Sequence, residues 1–466
     1  MVTSDSAIQL GQAEVRRLAK SLSGRLVHPA DADYEQHRRV WNGSIDRRPS
    51  LITRCADVGD VVAAVNFGRE AGLPIAVRGG GHSFAGLSTV DDGIVIDLGP
   101  MNGIRVDPDA QTVRVQAGAL LGDLDQATSE YGLAVPAGIV THTGVAGLTL
   151  GGGIGWLQRK HGLTIDNLVS ADVVTASGDI VHASEAENAD LFWGIRGGGG
   201  NFGVVTEFEF RAHRIGPEVF AGAVFWPMDQ ATKVLRFHRD WLADCPDELM
   251  TIGVTRRAPD LPSVPRELVG EPVVVIAVCY AGAVEEGDRV LAPLRSFGSP
   301  ALDVCGRKPF VAHQQMFDPS FPPGWWYYVR ACDVAALTDE VIDIVADYGT
   351  RISSPISSIA LWQMGGAVSR VAEDATSFNG RQAGFTFNIN GNSLTADGFD
   401  EQRQWARDYW SALAPYHTSV YVNFLMEEGE ERVRQAYGAA KYDRLKALKR
   451  EYDPTNLFRL NQNIRP

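Results

Sequence analysis

The sequence predicts an α+β protein of two domains, and three observations support this fold class. At 466 residues, the chain exceeds the size of one ordinary hydrophobic core. Its N-terminal half alternates short apolar segments with amphipathic ones, and clusters of glycine interrupt them. From about Arg214 the glycine clusters end, and short strands with two or three helices continue to about Tyr416. We therefore expect a first domain over residues 1–213 and a second over residues 214–416.

Composition narrows the functional classes. Hydrophobic residues make up 45% of the chain and charged residues 21%, as in water-soluble globular proteins. A net charge of −14 argues against a nucleic-acid surface and against binding to anionic membranes. The N-terminus has no apolar segment of the signal-peptide kind and no span of 20 apolar residues follows, so we expect a cytoplasmic protein. Neither a disulfide framework nor a zinc site is indicated by the five widely spaced cysteines, Cys55, Cys245, Cys279, Cys305 and Cys332.

The first elements follow from periodicity and from residues that begin or end helices. Residues 58–71 carry apolar side chains at helical spacing, with Asp57 as the N-cap and Gly72 as the stop. Residues 73–77 form a short apolar strand after it. Further strands are predicted at residues 93–98 and 112–115, and a further helix at residues 120–131.

Three glycine-rich segments carry the functional signal. The first, residues 73–86, reads LPIAVRGGGHSFAG, so a strand leads into glycines whose N–H groups can approach an anion, followed at once by His82. A turn with a hydrogen-bonded histidine is the structural alternative. The second, residues 138–155, holds seven glycines, which permit backbone contact along a flat ligand. The third contains Gly198-x-Gly200-x-x-Gly203, but residues 204–210 alternate as a strand where a dinucleotide fingerprint requires a helix.

The Arg-Gly-Gly-Gly-His-Ser segment resembles the flavin-attachment loop of FAD-linked oxidases of the vanillyl-alcohol oxidase type, in the berberine bridge enzyme-like branch. The resemblance extends from about Arg47 to Pro466. It implies a two-part FAD-binding domain, residues 1–213 with residues 417–466, and an inserted substrate domain built on an antiparallel sheet flanked by helices. It also implies FAD joined covalently to His82. The residues that the resemblance assigns to FAD are Arg78, Gly79, Gly80, Gly81, His82, Ser83, Gly86, Gly138, Thr143, Gly144, Gly147, Gly151, Gly152, Gly155, Asn167, Gly203, Val205, Tyr421 and Asn423.

One position departs from the best-known family members. Those with a doubly attached flavin carry a cysteine where this chain has Val140, so we expect attachment through His82 alone. Thr143 occupies the position that controls oxygen access in the family, and threonine there leaves oxygen reactivity undecided. His142 lies between them and is either a substrate contact or a structural imidazole.

Catalytic candidates lie on the substrate side. Residues 325–330 and 385–392 alternate as strands, and Asn388 and Asn390 fall where the family carries acid–base side chains. Neither asparagine can act as a base, so the resemblance leaves Tyr421 of the Tyr-x-Asn motif as the candidate. A core tyrosine is the alternative. The acidic run at residues 426–431 is predicted to be a solvated helix N-terminus.

The favoured function is therefore an FAD-dependent oxidase that removes a hydride from a CH–OH or CH–NH carbon of a small molecule, with molecular oxygen as acceptor. A carbohydrate oxidase or a flavin-dependent dehydrogenase on the same scaffold is the runner-up. A flavin-binding or ligand-binding protein without turnover is the third interpretation. The sequence names neither the substrate nor the oligomeric state.

Overall fold

The computed structural model describes residues 11–426 and 428–466. The strands in these ranges are β1 Arg25–Val27, β2 Leu51–Arg54, β3 Ile75–Arg78, β4 Ile94–Asp97, β5 Ile104–Asp107, β6 Thr112–Gln116, β7 Leu133–Ala134, β8 Leu168–Val174, β9 Ile180–Ser184, β10 Val204–Arg211, β11 His213–Arg214, β12 Glu218–Pro227, β13 Leu249–Arg257, β14 Pro272–Tyr280, β15 Leu302–Asp303, β16 Gly306–Pro309, β17 Val329–Val334, β18 Ser358–Gln363, β19 Phe385–Asn390 and β20 His417–Ser419. The α-helices are α1 Gln12–Ser21, α2 Tyr34–Arg38, α3 Val58–Glu70, α4 Leu121–Ser129, α5 Val145–Leu150, α6 Gln158–His161, α7 Ala189–Ile195, α8 Ala231–Leu242, α9 Gly287–Arg295, α10 Phe310–Gln314, α11 Asp339–Thr350, α12 Ala367–Arg370, α13 Phe399–Ala412, α14 Glu430–Tyr437 and α15 Ala439–Tyr452.

Two sheets form the framework of the N-terminal half. The first has the order β1-β2-β4-β3, with β4 parallel to both β2 and β3. The second is antiparallel, with the order β5-β6-β10-β8-β9. Helix α3 begins where the sequence predicts, because the Asp57 carboxylate accepts a hydrogen bond from the Asp60 N–H. Its side chains Val61, Ala64 and Val65 are fully buried in the core.

A nine-stranded sheet carries the middle of the chain. Its order is β15-β12-β14-β13-β18-β19-β17-β20, with β16 also paired to β12. Strand β19 alternates as predicted: Phe385, Phe387 and Ile389 pack in the core that includes helices α8, α11 and α13. Asn388 and Asn390 face the other way. An antiparallel sheet flanked by helices is confirmed.

The C-terminal segment packs back onto the N-terminal half. Lys449 of α15 is buried, pairs with Asp453 at 2.7 Å and donates to the Asn201 carbonyl at 2.7 Å. Asp453 in turn accepts from the N–H groups of Leu457 and Phe458. Removing one partner of this buried pair would leave an uncompensated buried charge, so we expect the pair to matter for the packing of the segment. The α+β fold class is thus confirmed, while the exact boundaries at 213/214 and 416/417 stay predictions.

One local prediction was wrong and a second was only partly right. The strand predicted at residues 325–330 begins only at Val329, because the preceding backbone bonds to the 41–43 segment: Gly43 N–H donates to the Trp325 carbonyl, and Tyr327 N–H to Asn42. The acidic run is not uniformly solvated either. Helix α14 begins at Glu430, but the Glu428 side chain is only 7% exposed and pairs with Arg330 and Arg432. Glu427 lies outside the described residues.

None of the helices described here is long and apolar enough to span a membrane.

Candidate functional site

A deep cavity lies between the glycine-rich segments and the nine-stranded sheet. Its floor consists of backbone from residues 79–84, 138–151 and 199–205, and its roof of side chains from β13, β18 and β19. The predicted cofactor residues that line it are Gly79, Gly80, Gly81, His82, Ser83, Gly138, Thr143, Gly144, Gly147, Gly151, Gly203, Val205, Tyr421 and Asn423. The structure therefore brings together four segments that are far apart in sequence.

Two of the glycine-rich segments touch through their backbones. A Cβ on Gly80 would lie 2.3 Å from the Gly144 nitrogen, and a Cβ on Gly144 would lie 2.3 Å from the Gly80 nitrogen. Real Cβ atoms do not approach backbone so closely, so only glycine fits at either position. Both glycines line the cavity, where backbone N–H groups would hold an anionic cofactor.

His82 is held by three side chains. Its ring stacks on Trp41 with centroids 4.6 Å apart, its Nε2 lies 2.7 Å from His142 Nδ1, and its Nδ1 lies 3.4 Å from Thr143 Oγ1. Burial lowers the pKa of His82 to about 3 and also lowers the pKa of His142. Both imidazoles are therefore neutral at pH 7. Val140 lines the same part of the cavity and offers no thiol.

The roof presents three rows of side chains, because residues paired across neighbouring strands share a face. The rows that line the cavity are Ile252 and Trp362; Val254, Ala360 and Asn388; and Arg256, Ser358 and Asn390. Asn390 Nδ2 lies 3.4 Å from Ser358 Oγ, while Asn390 Oδ1 and Asn388 Nδ2 are buried and have no partner among the described residues. Such atoms need a bound partner, since an unsatisfied buried polar group is costly.

Tyr421 lies where the C-terminal segment meets the floor. Its Oη accepts hydrogen bonds from the Gly153 N–H at 2.9 Å and from Asn423 Nδ2 at 2.8 Å. Burial nevertheless raises the pKa of Tyr421 to about 12, although both hydrogen bonds act in the opposite direction. The hydroxyl is therefore protonated at neutral pH. A raised pKa weighs against Tyr421 as a base, and that role stays a prediction.

The far end of the cavity also fits a large polar ligand. Tyr437 Oη and Asn461 Oδ1 line it, and neither has a partner in the described ranges. Leu98, Val204 and Phe458 add apolar side chains to the lining of the same cavity. A glycine-lined floor, apolar walls and unpaired polar atoms together match the demands of a dinucleotide with a flat ring system.

Five predicted cofactor residues do not line the cavity. Arg78 pairs with Asp97, its neighbour in register across β3 and β4, at 2.9 Å, and so acts within the fold. The other four have structural contacts instead: Gly86 (φ +70°) turns against Ile45, Gly152 packs on Phe378, Gly155 abuts the Ala137 carbonyl, and Asn167 bonds the His161 and Leu163 carbonyls and His213.

Sequence reasoning missed residues that complete the site. Trp41 lies between His82 and Tyr327, whose ring centroid is 3.7 Å away, and Asn42 bonds the Phe84 and Tyr327 carbonyls. These two residues connect the His82 loop to the segment that precedes β17. Arg256, also missed, lines the cavity from β13. Nothing in the local pattern around residues 41, 42 or 256 marks them, since their roles depend on distant partners.

Comparison with known proteins places the chain in a family. A family model described as "FAD binding domain" matches residues 49–184, and one described as "Berberine and berberine like" matches residues 420–465. An FAD-linked oxidoreductase of Dictyostelium discoideum is 35% identical over 460 residues, covering 97% of both chains. The (R)-6-hydroxynicotine oxidase of Paenarthrobacter nicotinovorans is 32% identical over 465 residues, 96% of this chain and 97% of that one.

The fold comparison agrees. The crystal structure of 6-hydroxy-D-nicotine oxidase from Arthrobacter nicotinovorans superposes with a TM-score of 0.86 at 30% identity, over 98% of this chain and all of that one. The chain therefore belongs to the FAD-linked oxidoreductases of the berberine-like branch, as the glycine segments indicate. It is an FAD-dependent oxidoreductase.

Proposed function

We propose that this protein is an oxidase that removes a hydride from a CH–OH or CH–NH carbon of a small molecule and uses molecular oxygen as the electron acceptor. The observation that carries the proposal is the roof above the glycine floor, where Asn388 and Asn390 direct unpaired amide atoms into the cavity beside Trp362. A substrate hydroxyl or amine can satisfy those atoms. The similarity to a hydroxynicotine oxidase supports the same class of reaction. FAD, when bound, supplies the hydride acceptor.

We also propose that FAD is attached through His82 alone. Because both imidazoles are neutral, one nitrogen of the His82–His142 contact must donate its hydrogen. When His82 donates from Nε2, its Nδ1 keeps a lone pair next to Thr143. We assign the link to Nδ1, because His142 occupies Nε2 at 2.7 Å whereas Thr143 Oγ1 lies 3.4 Å from Nδ1. Val140 supplies no second link.

We assign different roles to the polar side chains around the reacting carbon. Tyr421 Oη already accepts two hydrogen bonds, so its own hydrogen is free to point into the cavity, and we propose that it donates to the bound ligand. The substrate proton then leaves through water held by the Asn388 and Asn390 amides. This assignment needs no ionised side chain, in keeping with the raised pKa of Tyr421.

The proposal is tested by mixing the purified protein, without oxygen, with a panel of secondary alcohols, cyclic amines and oligosaccharides. The expected result is rapid bleaching of the yellow flavin by an alcohol or amine, followed by peroxide formation when air is admitted. Bleaching by an oligosaccharide alone selects the carbohydrate oxidase, and bleaching without peroxide selects the dehydrogenase. A flavin that no member of a broad panel bleaches contradicts an enzymatic role.

A further inference from the structure

Arg256 is distinctive among the residues around the cavity. The lining residues otherwise consist of apolar, glycine and neutral polar side chains with His82, and no aspartate, glutamate or lysine is among those that the structure describes. Arg256 thus brings the one permanent charge to a cavity that contains His82 in its neutral form. It projects from β13 in the roof, in the same row as Ser358 and Asn390.

The guanidinium is held in place but not neutralised. Nη1 donates to Ser320 Oγ at 2.9 Å, and Nε donates to the Arg257 carbonyl at 3.1 Å. Throughout residues 11–426 and 428–466, no carboxylate forms an ion pair with Arg256, and no group accepts a hydrogen bond from Nη2. Burial lowers the pKa of Arg256 to about 10, and the group stays protonated at neutral pH. Arg256 is only partly exposed and has no counter-ion among the described residues, so a ligand anion would be preferred there.

The surroundings indicate the shape of that ligand. Ser358 lies directly across from Arg256 and Asn390 one strand further, so Arg256 and Asn390 are about 10 Å apart at strand spacing. Phe317 and Phe321 flank the same end of the cavity. A flat apolar body would pack between the phenyl rings, with one end at the arginine and the other below the asparagines.

We propose that Arg256, positioned by Ser320, recognises a carboxylate on the substrate, so that the natural substrate is an aromatic alcohol or amine bearing an acid group. The planar fork of a guanidinium binds a carboxylate through two parallel hydrogen bonds. This inference rests on the proposed function, since it names the substrate class of the same cavity. It assigns specificity, and not chemistry, to Arg256.

The test is equilibrium binding of benzoate and of benzamide, which has the same shape without the charge, to the flavin-loaded protein. Calorimetry and the shift of the flavin spectrum give two readouts that need no turnover. We expect wild-type protein to bind benzoate about 10- to 100-fold more tightly than benzamide. Arg256→Met should abolish that preference and leave benzamide affinity within about 2-fold. Arg256→Lys should restore part of it, because the charge returns without the fork.

Arg257→Met is the matched control. Arg257 is the adjacent residue, but its side chain bonds the Ile352 and Gly270 carbonyls, and it does not line the cavity. Equal wild-type affinities for benzoate and benzamide overturn the proposal, as does equal loss of both ligands in Arg256→Met with flavin content unchanged. Should Arg256→Met not fold, the wild-type ratio alone decides. A flavin that no substrate bleaches tells against the oxidase, and the benzoate ratio is measured independently of it.

Discussion

Replacing Tyr421 by phenylalanine tests whether the Tyr421 hydroxyl acts as a neutral hydrogen-bond donor or as an ionised base. With a pKa of about 12, only about one Tyr421 in 10⁵ is ionised at pH 7, and ionising it there costs about 7 kcal/mol at about 1.36 kcal/mol per pH unit. A tyrosinate base would therefore make the turnover number rise about tenfold per pH unit from about pH 7 to about pH 10. A neutral donor would not. We expect no such rise in the wild type, and a loss of about 10- to 100-fold in Tyr421→Phe at every pH.

The assay is the pH profile of turnover under saturating substrate and oxygen, with urea unfolding measured in parallel. Tyr421→Phe leaves the buried Gly153 N–H without its acceptor, so stability should fall by about 1–3 kcal/mol. Tyr409→Phe is the matched control, because the buried Tyr409 hydroxyl has no partner in the described chain and lies outside the cavity lining, so its removal should not lower stability. A tenfold rise per pH unit that disappears in Tyr421→Phe would refute the donor role.

Two further predictions concern a glycine of the cavity floor and a buried carboxyl outside the cavity lining. Gly144→Ala places a methyl group 2.3 Å from the Gly80 nitrogen, so the purified variant should contain no FAD. Gly306→Ala is the control, because Gly306 has open space around it, and this variant should retain full flavin absorbance. Equal flavin absorbance in the two variants would contradict the contact between Gly80 and Gly144. Asp125 is buried against Gln314, and burial raises its pKa to about 7, so the folded state binds its proton more tightly than the unfolded state does. The free energy of unfolding of the wild type should therefore fall, relative to that of Asp125→Asn, by at most about 4 kcal/mol between about pH 4 and about pH 7. Urea unfolding of both proteins at these two pH values measures the difference. An equal free energy of unfolding for the pair at both pH values would contradict the desolvation of this carboxyl.

Local features were predictable from the sequence where neighbouring residues determine them. Helix α3 was expected over residues 58–71 and is found at Val58–Glu70, because the Asp57 cap and the apolar spacing are local signals. Strand β19 was predicted for the same reason, since its alternation is short-range. The resemblance carried by the glycine segments correctly indicated the family and the fold class.

Features that depend on distant partners were not predictable. In the sequence, Arg78 stands between the apolar strand and the glycines at residues 79–81, which suggests a ligand contact. In the structure, the parallel register of β3 and β4 places Arg78 opposite Asp97, and the two side chains form an ion pair. Periodicity in residues 325–330 indicated a strand, yet Asn42 binds the Tyr327 N–H from almost 300 positions away in the chain. Arg256 is one arginine among many until the sheet places it at the cavity. The contacts of these residues depend on strand register and on pairing between distant segments, and a single sequence does not reveal either.

The most direct test of the central claim is to precipitate the protein with acid and record flavin absorbance in the pellet and in the supernatant, for the wild type and for His82→Ala. Covalent attachment through His82 alone predicts a yellow wild-type pellet and a colourless His82→Ala pellet. A yellow wild-type supernatant over a colourless pellet would contradict the covalent link, and a yellow His82→Ala pellet would contradict His82 as its site.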